Sequence, residues 1–172
     1  MPQVEVVRTY LQMTEPGRPC DSESDPRLRV DRVDGCAPSF YRYLYTEVGR
    51  RWHWRDRLPW SDERIARHLA DRGISLWVGY LGGAPAGWFE LAAHEDGSVE
   101  LAYFGLLPEY TGRGLGRRLL TEAVERAWSL GATRIWLHTC SLDSPAALPN
   151  YLARGFVPFR EERYTVTIAD GA

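Results

Sequence analysis

Three glycines at alternate positions separate an apolar run from a helical repeat in the stretch LLPEYTGRGLGRRLL, residues 106–120. A strand that turns on glycines straight into a helix leaves several backbone N–H groups pointing at one spot, at the positive end of the helix dipole. Glycine permits positive φ and lets a ligand come close to the backbone. Arginines flank the turn, so the pattern predicts a binding site for an anion such as a phosphate.

Three anionic ligands are compatible with a turn of this kind. A Walker loop requires a lysine after its last glycine, and all 21 basic residues here are arginine, so that kind of nucleotide site is excluded. A dinucleotide fingerprint reads G-x-G-x-x-G in the first βαβ unit, whereas this turn reads G-x-G-x-G late in the chain. Coenzyme A is the third candidate, with its pyrophosphate on the turn and its pantetheine arm along the preceding strand.

The rest of the chain alternates between strand and helix signals. Strands are predicted at 3–13, 74–81, 84–93, 98–107, 133–139 and 164–170, and helices at 38–49, 61–73, 115–130 and 145–155. Short turns join the three central strands into an antiparallel meander, and the helix after the glycine turn connects a parallel pair with a right-handed crossover. Residues 14–37, rich in Pro, Gly and acids, are predicted to form a partly mobile loop.

Composition places these elements in a single domain over residues 1–172. A chain of this length with 44% hydrophobic residues buries a core without metal or disulfide support. The net charge of -2 does not suggest a nucleic-acid partner. Three cysteines at spacings that match no zinc pattern, with no signal peptide and no membrane-length apolar run, predict a cytoplasmic protein without a metal.

Residues 74–164 resemble the GCN5-related N-acetyltransferase (GNAT) family. The family signature [Q/R]-x-x-G-x-[G/A] aligns with residues 111–116, where both glycine positions match and Thr111 replaces the usual Arg or Gln. A second family feature, a Tyr four residues before a Gly-Phe pair, is supplied by Tyr151 in NYLARGF. Seven residues before that Tyr, where Asn is common, the chain has Ser144.

The resemblance implies an α/β (α+β) fold with a mixed sheet of about seven strands, mostly antiparallel with one splayed parallel pair, and about four helices. It implies transfer of an acetyl group from acetyl-CoA to a primary amine by direct attack, without a metal. A bulge at Gly105 is predicted to free backbone groups for the pantetheine arm. The cofactor-binding residues implied are Phe104, Leu106, Leu107, Thr111, Gly112, Arg113, Gly114, Leu115, Gly116 and Arg117.

In this family frame, Tyr151 is the candidate general acid for the departing thiolate, the alternative being a packing role on a short helix. Glu100 is the candidate general base, with Glu90 on the neighbouring strand as its rival, although strand acids are ordinarily solvent-facing members of an alternating pattern. His138 also lies where it could titrate beside the cleft. Cys140 has no evident partner to stabilise a thiolate and is expected to be structural.

The family acceptor site is walled by the first two helices and their linker, here the segment 50–60, which interleaves tryptophans with arginines. The segment could line a pocket for a small amine, an acidic substrate or a peptide acceptor, stack a base, or plug the domain edge. The sequence also resembles bacterial family members. An exposed C-terminal strand makes a homodimer plausible. A non-catalytic acyl-CoA-binding or sensing module, or an interaction domain, remains the alternative to an enzyme.

Overall fold

The computed structural model describes residues 2–17 and 27–168. Its strands are β1 (Gln3–Met13), β2 (Arg29–Arg32), β3 (Ile74–Leu81), β4 (Ala84–Ala93), β5 (Ser98–Leu106), β6 (Arg134–Cys140) and β7 (Val157–Thr167). Its helices are α1 (Pro38–Gly49), α2 (Asp62–Leu69), α3 (Leu115–Ser129) and α4 (Ala147–Ala153). Single 3₁₀ turns cover Arg50–Trp52 and Pro108–Tyr110.

All seven strands join one sheet in the order β2-β3-β4-β5-β6-β1-β7. β5 and β6 run parallel, and the other neighbouring strands in the described sheet are antiparallel. The fold class predicted from the sequence, a mixed seven-stranded sheet with one parallel pair and four helices, is confirmed.

Two of the predicted boundaries are wrong. The predicted loop over 14–37 contains β2, which pairs with the edge of β3, while residues 18–26 lie outside the described residues. β7 begins at Val157 and not at residue 164, because its whole length pairs with β1. The first half of β7 is exposed on both faces, so its residues lack the alternation that identifies a strand in a sequence.

Helices cover the two faces of the sheet unequally. α3 packs on one face, where Leu119 and Leu120 join a core with residues of β1, β5 and β6. On the other face, α1 and α2 build a second core over β3 and β4, centred on Tyr41 and Trp88. The second core stops at β5, so the α1 side of the sheet is open beyond that strand.

The parallel pair separates soon after it starts. β5 and β6 pair only over Ser98–Glu100, and the register between β4 and β5 shifts at Ala102, where one extra residue is accommodated. The bulge is therefore at Ala102, and its predicted position at Gly105 is wrong. Gly105 pairs regularly with Trp88 and is a glycine for another reason: an added Cβ would lie 2.4 Å from Cγ1 of Val48 on α1.

Gly105→Ala is therefore expected to destabilise the protein by about 1–3 kcal/mol, because the new methyl group overpacks the α1 contact. The free energy of unfolding from urea denaturation measures this loss. Adding Val48→Ala should recover part of the loss, since it makes room for the methyl group. A Gly105→Ala variant as stable as the wild type would show that α1 does not press on β5 at this point.

Candidate active site

A cleft of about 1280 Å³ opens where β5 and β6 separate. The glycine turn lines the cleft through Thr111, Gly112 and Gly114. The linker that follows α1 lines it through residues 52–57. Tyr151 and Glu100 line it as well. The cleft therefore brings four separate sequence predictions into one site.

The glycine turn has the geometry of an anion site. Gly112 and Gly114 adopt φ values of 72° and 77°, and a Cβ built on either would meet nothing within 4 Å. α3 starts directly after Gly114, and no side chain of the described residues caps it. Its first N–H groups are therefore free to bind a ligand in the open space, at the positive end of the helix dipole. This cradle fits a pyrophosphate.

Seven of the ten predicted cofactor-binding residues line the cleft. They are Phe104, Leu106, Thr111, Gly112, Gly114, Gly116 and Arg117. The hydroxyl of Thr111 donates to the Pro108 carbonyl oxygen at 2.8 Å, so this side chain braces the turn. The position where the family signature has Arg or Gln is thus used here for a local hydrogen bond.

Within the part of the chain that the structure describes, the other three predicted cofactor-binding residues do not line the cleft. Leu107 is buried in the core under α1, and its N–H donates to the Ala86 carbonyl oxygen at 2.8 Å. Leu115 is buried in the core under α3. The guanidinium of Arg113 lies over the Tyr110 ring, 5.5 Å from its centroid. The side chains of these three residues therefore pack against the protein.

Tyr151 lines the cleft from α4 and is only 7% exposed. Its ring meets Phe104 and Phe156 edge-on, with centroids about 6 Å away. Burial, followed by the negative charge of Asp143, raises the pKa of Tyr151 above its ordinary value. The hydroxyl is therefore protonated at neutral pH, as a general acid must be.

Glu100 faces the cleft from β5, beside the point where β6 diverges. Its carboxylate lies 3.2 Å from Nε2 of His94, and its side chain is 19% exposed. A partly hydrated carboxylate that has one hydrogen-bond partner can still accept a proton or a further hydrogen bond. The position is compatible with the predicted role of general base.

Glu90 has a different environment from Glu100. Its side chain is fully buried, and Oε2 accepts hydrogen bonds from the Tyr41 hydroxyl at 2.9 Å and from Arg57 Nη1 at 2.7 Å. Oε1 lies 3.0 Å from Nε2 of His68. Burial acts to raise the pKa of Glu90, but the hydrogen bonds and the Arg57 charge outweigh it and lower the pKa. Both oxygens are occupied, so Glu90 is poorly placed to serve as a base.

The lowered pKa of Glu90 predicts how stability depends on pH. A carboxyl whose pKa falls on folding stabilises the protein above its unfolded pKa, and this contribution is lost as pH falls through the folded pKa. We expect urea stability to fall steeply below about pH 4.3, and Glu90→Gln to reduce that slope. Glu125→Gln, a change to an exposed carboxyl on α3, should not. Equal slopes in both variants would contradict the expectation.

The other predicted candidates also lie along the cleft. His138 is exposed and lies beside Tyr10, and desolvation at the cleft wall, followed by the nearby Arg8 charge, lowers its pKa. Burial and the charge of Asp143 raise the pKa of the Cys140 thiol. Its backbone N–H donates to Asp143 at 2.9 Å. A thiol of this kind is a poor nucleophile, which agrees with a structural role for Cys140.

Several wall residues were not identified from the sequence. Arg8 and Tyr164 come from β1 and β7, and Tyr103 comes from β5. The strand patterns of these segments gave no indication that they would converge, since the β1–β7 pairing joins positions 145–164 residues apart. Of the tryptophans in the linker, Trp52 and Trp54 line the cleft, whereas Trp60 packs against Arg57 and His68.

Among residues 2–17 and 27–168, no helix combines the length and the apolar character of a membrane-spanning segment. Within the same ranges, no three His, Cys, Asp or Glu side chains are grouped so that they could hold a metal ion.

The splayed parallel pair beside the glycine turn leaves an open cleft between two strands. Comparison with known families identifies the class of protein. The model of the acetyltransferase (GNAT) family matches residues 41–156. The chain therefore belongs to the GNAT family of acetyltransferases.

Relatives and solved structures agree with this assignment. N-alpha-acetyltransferase RimI of Mycobacterium tuberculosis is 34% identical over 122 residues, which cover 65% of this chain and 72% of that protein. An uncharacterized N-acetyltransferase of the same species is 32% identical over 77 residues, 45% of this chain. That match spans about half of the relative, 49%. The ribosomal-protein-S18-alanine N-acetyltransferase of Escherichia coli shares the fold, with a TM-score of 0.58, 19% identity and coverage of 74% of this chain and 76% of that chain.

Proposed function

We propose that this protein is an N-acetyltransferase that moves the acetyl group of acetyl-CoA onto a primary amine by direct attack. The observation that carries the proposal is the cleft, which is lined by the glycine turn, a splayed strand and a buried, protonated Tyr151. A nucleotide site would need only the turn. The separation of β5 from β6 and the protonated Tyr151 suit a long thioester ligand.

The turn and the first turn of α3 would hold the pyrophosphate of acetyl-CoA, with Arg117 adding positive charge. Beyond Glu100, β5 no longer pairs with β6, so the backbone of Phe104 and Leu106 offers hydrogen-bonding groups to the pantetheine arm. When bound, acetyl-CoA supplies an activated acetyl thioester to the middle of the cleft.

Two residues of the cleft are assigned to the proton transfers. Glu100 takes a proton from the amine nitrogen, directly or through water, as that nitrogen forms a bond to the acetyl carbon. As the carbon–sulfur bond breaks, Tyr151 donates its hydroxyl proton to the sulfur. His94 holds the Glu100 carboxylate from the solvent side. The products are an amide and free CoA.

For the acceptor we propose the α-amine of a peptide. The relative named N-alpha-acetyltransferase RimI supports this choice, and so does the volume of the cleft, about 1280 Å³. A small free amine is the alternative. Both acceptors present a primary amine to the same catalytic groups.

Release of free thiol from acetyl-CoA tests the proposal. The purified protein is mixed with acetyl-CoA and hexapeptides that begin with alanine or serine, and the same peptides with blocked N-termini serve as controls. Thiol release that requires the free α-amine, with a mass gain of one acetyl group on the peptide, supports the proposal. No release with peptides or with small primary amines would contradict it.

A further inference from the structure

The linker that follows α1 contributes six consecutive residues, 52–57, to the wall of the cleft. Its backbone has few regular hydrogen bonds, and His53 adopts a left-handed conformation with φ of 58°. A wall of this kind needs side-chain contacts to hold its shape, since loops without such contacts open locally at little cost in free energy.

The first half of the linker is fixed by Trp54. The backbone N–H of Trp54 donates to the Gly49 carbonyl oxygen at 3.2 Å. The centroid of its ring lies 4.9 Å from the centroid of the Tyr103 ring. Gly49 is required here, because a Cβ at that position would lie 2.5 Å from the Trp54 side chain. Trp54 is thus packed against both α1 and β5.

The second half is fixed by Arg57. Nη1 of Arg57 donates to Glu90 at 2.7 Å and also contacts the Tyr41 hydroxyl. The guanidinium lies over the rings of Tyr103 and Trp60, 4.4 and 4.8 Å from their centroids. One side chain therefore ties the linker to α1, β4 and β5.

The Arg57 contact is maintained by a buried charge. Glu90 is fully buried, and the Arg57 side chain is 11% exposed. Removing one partner of a buried ion pair leaves an uncompensated charge, so the two side chains hold each other in place. Both side chains line the same cleft that the glycine turn lines.

We propose that Arg57, held by Glu90, is a positioning residue that fixes residues 55–57 as the part of the cleft wall against which the acceptor binds. The inference rests on the proposed function, because only an acetyltransferase needs an acceptor site there. Arg57 acts through the shape of the linker, and Glu90 acts through Arg57. Neither residue takes part in the proton transfers.

The test compares four variants. Arg57→Gln removes the cation, and Glu90→Gln removes the anion while keeping its size. Arg57→Lys keeps the charge beside Glu90, so it avoids a buried unpaired carboxylate if Arg57→Gln fails to fold, but it loses the planar group over Tyr103. Arg51→Gln is the matched control, since Arg51 is exposed in the same linker and lies outside the described cleft wall.

Hydrogen exchange measures whether the linker is held. Amides of residues 55–57 should exchange about tenfold faster in Arg57→Gln and Glu90→Gln, because a local opening becomes easier there. The amides of β3 and β4 should keep their protection, and Arg51→Gln should match the wild type. Unchanged exchange at 55–57 in both variants, or an equal increase in Arg51→Gln, would overturn the proposal.

Kinetics separate a positioning role from a purely structural one. With an alanine-terminated hexapeptide, KM for the peptide should rise about tenfold in Arg57→Gln, since misplaced walls weaken acceptor binding, while kcat stays within about threefold. Arg57→Lys should give a smaller rise in KM. The acetyl-CoA dissociation constant should not change in any variant. Faster exchange with an unchanged peptide KM would overturn the positioning role.

The exchange experiment is independent of the proposed activity. If the wild type acetylates no peptide or small amine, the proposed function fails, and hydrogen exchange still decides whether Arg57 and Glu90 hold the linker. If the wild type is active, the kinetic arm decides whether that hold matters for the acceptor. The two failures are therefore distinguishable.

Discussion

Gly114→Trp is expected to weaken acetyl-CoA binding at least about 100-fold, which corresponds to about 2.8 kcal/mol. Gly114 has φ of 77°, a conformation that costs other residues about 1–2 kcal/mol, so the substitution shifts the turn and redirects its N–H groups. The space beside Gly114 is open, and an indole would occupy the place of the pyrophosphate. Calorimetric titration with acetyl-CoA measures the loss.

Gly131→Trp provides a matched control for this variant. Gly131 has φ of 84° and open space around it, as Gly114 does, but it follows the opposite end of α3. The backbone strain should be similar, while acetyl-CoA affinity should stay close to that of the wild type. Equal loss of affinity in the two variants would mean that strain in α3, and not a blocked anion site, is responsible. Full affinity in Gly114→Trp would place the ligand elsewhere.

Tyr151→Phe is expected to lower kcat by about 10²–10³-fold, because the thiolate then departs without a proton donor. The acetyl-CoA dissociation constant should change little, since the phenyl ring keeps the contacts with Phe104 and Phe156. Because burial raises the pKa of Tyr151, wild-type kcat should not fall from loss of this proton until the pH exceeds the ordinary tyrosine value of about 10.

The comparison variant is Tyr80→Phe, which removes a hydroxyl from β3, where Arg29 covers the ring. It should leave kcat unchanged. If Tyr151→Phe keeps full kcat, another group protonates the sulfur and the role assigned to Tyr151 is wrong. A wild type that binds acetyl-CoA tightly but has no turnover with any amine would favour the sensing module, for which Tyr151 is only a packing residue.

The glycine turn could be predicted from the sequence because its requirement is local. Positive φ at Gly112 and Gly114 and the start of α3 depend on a few consecutive residues. Apart from β2, the order of strands and helices also followed from periodicity, since most helices and strands cover one side of a core and alternate accordingly. Tyr151 was identified because it lies four residues before a Gly-Phe pair, a feature of the GNAT family.

The remaining features depend on contacts between distant segments. The bulge at Ala102 leaves no mark in the sequence, and Gly105 attracted the prediction because a glycine in a strand has two explanations, a bulge or a close neighbour. Glu90 and Arg57 are 33 positions apart, so their pairing could not be seen before the fold was known. The hydrogen bond from the Leu107 N–H to the Ala86 carbonyl oxygen could not be seen before the fold was known either.

Titration calorimetry of the wild-type protein with acetyl-CoA tests the central claim most directly, with CoA and NAD as comparison ligands. The cleft predicts one-to-one binding of acetyl-CoA in the micromolar range, binding of CoA through the same pyrophosphate contacts, and no binding of NAD. A folded, monodisperse sample that gives no heat with acetyl-CoA, or that binds NAD equally well, would contradict the assignment of the turn as a coenzyme A site.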